Sequence, residues 1–148
     1  MHRRILRSLL TLLLPSAAIA LTPIAAHADG PTVTITVGAA ATLLDPTLVR
    51  VPVEITCTPL VVSFDQGSGA DLRQAVSGRI AFGTGSEEST IICDGTPHPN
   101  SYLVWVSTSS PAPFRQGNAT VSIGAYLCSA TFICESGGSG IQVILLKR

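Results

Sequence analysis

The run LVRVPVEITC, residues 48–57, puts Val49, Val51, Val53, Ile55 and Cys57 at every second position, with Arg50, Glu54 and Thr56 between them. A period of two sustained this long is the mark of a strand with one face in a core and the other in water. The same alternation aligns Val33, Ile35 and Val37 in TVTITVG, and Ala119, Val121, Ile123 and Leu127 in NATVSIGAYLC. Pro52 falls on the outward side of its run. It brings no N–H to a ladder, which predicts a strand near a sheet edge or bulged there.

Shorter apolar runs fill the intervals: LVVSF (60–64), QAVSGRIAFG (74–83), STIIC (89–93), SYLVWVST (101–108) and GIQVILL (140–146). Turn chemistry separates them in DPT, DQGSGAD, GTGSEE, DGTPHPN, SSPAPFRQGN and ESGGSG. No helical period appears after the N-terminal leader, and no internal repeat. Seven to eight short strands in one domain predict an all-β fold, an immunoglobulin-like antiparallel β-sandwich. The expected strands cover 32–37, 48–57, 60–66, 74–93 (broken near 84–88), 101–108, 118–128 and 140–146. In such an order the second, fourth and sixth strands run the same way, so Cys57, Cys93 and Cys128 gather at one pole.

The first 28 residues read as an export signal. Arg3, Arg4 and Arg7 precede an apolar stretch from Leu9 to Ala26, and small residues at Ala26 and Ala28 frame a cleavage site. Removal leaves 148 − 28 = 120 residues, a single domain at 29–148. That part carries six cationic and nine acidic residues, a net charge of about −3, too weak and scattered for nucleic acid or a membrane surface. The expectation is a secreted monomer with no membrane insertion after cleavage and no cofactor.

Four cysteines follow the leader: Cys57, Cys93, Cys128 and Cys134. An even number in an exported chain predicts two disulfides. Proximity favours Cys128–Cys134 across a hairpin end, leaving Cys57–Cys93. By chain entropy the longer loop contributes about 4 kcal/mol and the shorter about 2.4 kcal/mol. The rival is Cys57–Cys128, because AYLC (125–128) resembles the Tyr-x-Cys of immunoglobulin strand F. Trp105 lies too far along the chain to be the tryptophan that accompanies that bond.

The stretch CDGTPHPN (93–100) holds the one histidine after the leader, His98, beside Asp94. An acid–base pair is one reading. A turn is the plainer one: Gly95 takes a positive φ, Asp94 accepts local N–H groups, and Pro97 and Pro99 keep His98 extended. No nucleophile with an orienting partner is legible, so catalysis is not expected. One histidine and paired cysteines leave zinc without ligands. Asp65 and Asp71 in DQGSGAD loosely resemble a calcium loop but lack a terminal bidentate glutamate. Trp105 is expected in the core or against a sheet. Phe132, inside the Cys128–Cys134 step, is expected to fold back onto the end of the sandwich, with an exposed contact as the alternative.

Cys57, then CDGTPH (93–98), a tryptophan strand and PFRQGNATV (113–121) together resemble small exported actinobacterial sandwich domains of unknown function, over roughly residues 45–125. A more distant likeness is to neocarzinostatin-type chromophore carriers. The resemblance implies an immunoglobulin-like fold and secretion, and brings no catalytic residues. The expected function is a non-catalytic module binding a protein or cell-surface ligand at the disulfide pole, near His98, Asn100 and Phe132. The alternative is a small-ligand carrier with an apolar cleft.

Overall fold

The computed structural model describes residues 32–59 and 62–148, and for 62–66 the backbone alone. The leader at 1–28 lies outside the described residues, as do Leu60 and Val61 and the side chain of Asp65. Eight strands follow in order: β1 (Val33–Val37), β2 (Ala40–Asp45), β3 (Leu48–Cys57), β4 (Val62–Val76), β5 (Arg79–Glu87), β6 (His98–Val106), β7 (Gly117–Ser129) and β8 (Cys134–Lys147).

They do not form the expected sandwich. They close into a β-barrel of seven staves, with β1 and β2 end to end as a single stave. The other staves follow as β3, β6, β5, β4, β7 and β8. A sandwich has free edge strands, whereas here the sheet returns on itself. β3 pairs with β1 and β2 on one side and with β6 along Leu48–Ile55 on the other, while β8 reaches β2 through Ala40–Thr42 opposite Leu145–Lys147. The β2–β8 pairing is parallel and the other ladders are antiparallel. An odd ring cannot alternate direction all the way round, so one parallel pair is a geometric necessity.

Pro52 therefore stands in a strand paired on both sides rather than at an edge. Its carbonyl accepts from Gly38 N at 2.9 Å, so its nitrogen faces the junction where β1 ends and β2 begins. The missing donor falls in the one gap of the adjoining stave. Gly38 suits that gap, because a Cβ there would sit 3.0 Å from the Pro52 ring.

Three glycine-rich stretches expected as turns lie within strands instead. DQGSGAD belongs to β4, GTGSE to β5 and ESGGSG to β8. In a narrow barrel the strands coil tightly and backbones approach closely, a use of glycine distinct from turning. A Cβ at Gly83 would lie 2.1 Å from Trp105 O, one at Gly85 2.1 Å from Leu103 O, and one at Gly137 1.7 Å from Val33 O. The true β4–β5 turn sits inside QAVSGRIAFG, at Ser77 and Gly78, both with positive φ. Two such residues joining paired strands are the twist-matched hairpin turn. STIIC is not a strand; it is a loop that tucks Ile91 into the core.

The lumen is filled by the inward side chains of the alternating runs, among them Ile35, Val51, Leu72, Val104, Val121 and Ile144. One end is closed by the β6–β7 connection, residues 107–116. It carries the buried ring of Phe114, whose N–H donates to Pro46 O at 2.8 Å. Gln74, itself buried, clamps this plug: its amide donates to Arg115 O at 2.7 Å and accepts from Arg115 N at 2.8 Å. Tyr102 occupies the core and Trp105 faces outward, half exposed, which reverses the expectation for the tryptophan.

Replacement of Gly83 by alanine should destabilise the barrel by ~1–3 kcal/mol, because the new methyl meets backbone that cannot step aside. At Gly67 the nearest atoms to an added Cβ are 3.9 Å away. Gly67→Ala should change stability by less than about 1 kcal/mol. Urea unfolding of both variants measures the contrast, and equal costs would refute the role given to Gly83.

Candidate binding surface

Alternating directions around the ring send the C-termini of β3 and β7 to the same end, opposite the Phe114 plug. Cys57 ends β3 and Cys128 lies near the end of β7, so both disulfides meet at that mouth. The bonds are Cys57–Cys93, with α-carbons 4.9 Å apart, and Cys128–Cys134, which joins directly paired residues of the β7–β8 hairpin. Two disulfides place the folded chain in an oxidising environment. The single pole expected from the sequence is present, on a barrel instead of a sandwich.

On one rim of this mouth, residues 88–97 connect β5 to β6. Gly95 N donates to Cys57 O at 3.0 Å, and φ is +85° at Gly95. Asp94 Oδ1 accepts from Thr96 N at 2.9 Å and Thr96 Oγ1 at 2.6 Å, and lies 2.9 Å from His98 Nε2. These contacts, the Thr96 hydroxyl first, the Thr96 N–H next and His98 after them, hold the Asp94 carboxyl down at about 2. Thr96 Oγ1 also lies 3.2 Å from the same Nε2. A catalytic relay needs the orienting carboxylate and the nucleophile on opposite ring nitrogens. Here both sit at one nitrogen, and the threonine hydroxyl donates to the carboxylate. This is a hydrogen-bonded turn capped by an imidazole.

Asn100 straps the same loop. Its amide donates to Ser89 O at 2.9 Å, and its oxygen accepts from Ser89 Oγ at 2.8 Å and Ser101 N at 2.7 Å. Beside it Glu88 pairs with Arg50 at 2.7 Å and accepts from Ser101 Oγ, contacts that lower its carboxyl below the ordinary range. Asn100 is thus tied into the loop by its bonds to Ser89 and Ser101.

Phe132 does not fold back onto the barrel. The residue is 87 % exposed and its φ is +60°, a left-handed conformation that non-glycine residues rarely adopt. Ser129 holds it there: Phe132 N donates to Ser129 O at 2.9 Å, and Ser129 N donates to Ile133 O at 2.8 Å. Ile133 beside it and Tyr126 on β7 are exposed as well. The structure does not bring Phe132 together with His98 and Asn100. The β7–β8 hairpin and β6 stand on opposite sides of the ring, so these residues occupy opposite rims of one mouth.

Asp71 projects outward from β4, level with Thr84 of β5 and Ser122 of β7, so it lies in a ladder and not in a calcium-type loop. Among the described residues no three His, Cys, Asp or Glu side chains are grouped to hold a metal ion. Inside the barrel, Ser68 Oγ donates to Glu87, and the buried Tyr102 hydroxyl lies beside both without a hydrogen bond of full geometry. Burial foremost pushes that phenol up. Glu135 is also buried, with Oε2 unpartnered among the described residues.

Sequence reasoning missed a second exposed surface. Ile141, Val143 and Leu145 point outward from β8, while Ile144 and Leu146 point into the core. The signal was available in IQVILLKR, which is apolar at both parities, whereas a half-buried strand should be polar at one. No protein-family model, curated protein or solved structure matches the chain.

The depressed Asp94 carboxyl makes a definite acid prediction. Its folded value lies below the ordinary 3.8, so the stability it contributes is complete above about pH 4 and is lost as pH falls through about 2. An NMR titration of the Asp94 carboxyl carbon should show a midpoint near 2, and Thr96→Val should raise it. A midpoint at 3.8 in the unaltered protein would mean that the turn is not formed in solution.

Proposed function

We propose that the chain is a secreted, non-catalytic binding protein that captures a protein or cell-surface ligand through the aromatic knob at the tip of the β7–β8 hairpin. One observation carries this reading: Phe132 stands in solvent, in a strained backbone conformation, on a six-residue step closed by a disulfide. A left-handed phenylalanine costs of order 1–3 kcal/mol, and its exposed ring gives up a hydrophobic gain of about 1.5–3 kcal/mol. The left-handed position serves the three-residue hairpin loop, which ends on such a residue; the exposed ring serves nothing in the fold. A ring presented on a braced loop suits an anchor, because little backbone entropy is lost when it enters a partner's pocket.

Secretion is supported by the leader-like N-terminus together with the disulfides. The non-catalytic reading is supported by the geometry at His98, where both partners share one ring nitrogen. A carrier has less support, because inward side chains, most of them aliphatic, fill the lumen, and the recess of about 550 Å³ beside Leu43, Pro46 and Phe114 lies outside the Phe114 plug.

Panning a displayed peptide library against the mature chain tests the anchor. Selected peptides should bind Phe132→Ser at least about tenfold more weakly, a loss of ~1.4 kcal/mol, and should bind Ser109→Ala, at the plugged end, as they bind the parent. Binders indifferent to Phe132 would remove the hairpin tip as the contact.

A further inference from the structure

A monomer is the expectation from composition, but the outer wall opposite β3 and β6 is built otherwise. Ile141 is 81 % exposed and Val143 70 %, and Leu145 continues the same line along β8. Across β7 the wall drops to the short side chains of Ser122 and Thr120, then rises at β4 to Asp71 and Arg73. The registers define two rows. Ile141, Ser122 and Asp71 lie level, and so do Val143, Thr120 and Arg73. Two shallow grooves of about 280 and 480 Å³ follow β7 through these rows, sharing Arg73 and Thr120 in their walls. The larger ends on the exposed side chain of Ile80.

We infer that this wall is a homodimer interface, occupied by a second copy of the same chain packed face to face. The row arrangement is self-complementary. A twofold axis lying across the strands, midway between the two rows, turns each copy's Arg73 row onto the other's Asp71 row. Each guanidinium then meets a carboxylate, and each Ile141 meets a Val143 of the second copy. A closed barrel offers no strand edge, so association must use a face rather than an added strand. The wall curves away on either side, so contact is confined to the β8, β7 and β4 staves, an interface smaller than the usual size of stable ones. A small interface with two ion pairs at its rim fits a weak, transient dimer.

Sedimentation equilibrium of the mature chain tests this. The parent should dimerise at concentrations below about 500 µM. Val143→Lys, an outward position that leaves the lumen untouched, should weaken the dimer by at least about tenfold. Asp71→Arg alone should weaken it similarly, by setting Arg against Arg, and Asp71→Arg combined with Arg73→Asp should restore it, since the reversed pair is complementary again. Circular dichroism confirms that each variant is folded, and the restored double variant guards against loss of fold as the cause. A chain that stays monomeric up to about 500 µM overturns the inference, and flotation of that monomer on phosphatidylcholine vesicles would reassign the stripe to lipid. A dimer indifferent to Val143→Lys overturns it equally.

Discussion

Closure of the ring is the constraint from which the other features follow. Seven staves join only if one neighbouring pair runs parallel, and that pair is formed where β2 lies against the last residues of β8. Further along the same seam, Thr32 bridges Ser136 in parallel and Gly137 packs onto the backbone of Val33. The stave that meets β8 is itself broken at Gly38, and Pro52 of the adjoining strand stands at the break. A proline and two glycines thus mark the two irregular places of the stave, and each is suited to its place by what it lacks: a donor or a side chain.

Closure also sets the character of the two ends. Connections must cross the mouths to reach non-adjacent staves. β6 to β7 passes over one mouth and plugs it with Phe114, held by reciprocal hydrogen bonds from Gln74. The other mouth receives both disulfides, a loop of internally satisfied polar residues on one rim and an unsupported aromatic on the other. The polar rim is saturated by its own bonds: Asp94, Thr96, Asn100 and Glu88 each have partners inside the loop or beside it. His98 and Asn100 lie within this bonded rim, whereas Phe132 projects from the opposite one.

The legible part of the fold was local. Inward positions of β1, β3 and β7 follow from alternation, because each inward side chain must be apolar whichever sheet receives it. The disulfide pole followed from strand direction, which a sandwich and this barrel share. Glycine misled. Its presence in DQGSGAD, GTGSEE and ESGGSG signals turns when read along the chain, yet at Gly83, Gly85 and Gly137 the demand comes from backbone in a neighbouring strand. Trp105 misled for a related reason: size suggests burial, but parity on β6 gives the inside to Tyr102 and Val104.

By itself the sequence determined that this chain is built of strands, which side of the clearest strands is apolar, and that four sulfurs could bond in pairs, because these depend on residue period and on chemistry near each residue. Only the tertiary structure decided that the sheet closes on itself, that glycines serve close packing between staves, and that Phe132 and the β8 stripe remain in solvent. Those outcomes depend on which strands become neighbours. Pairing between residues far apart in the chain is set by the mutual fit of whole strands, a property that no short stretch of residues contains.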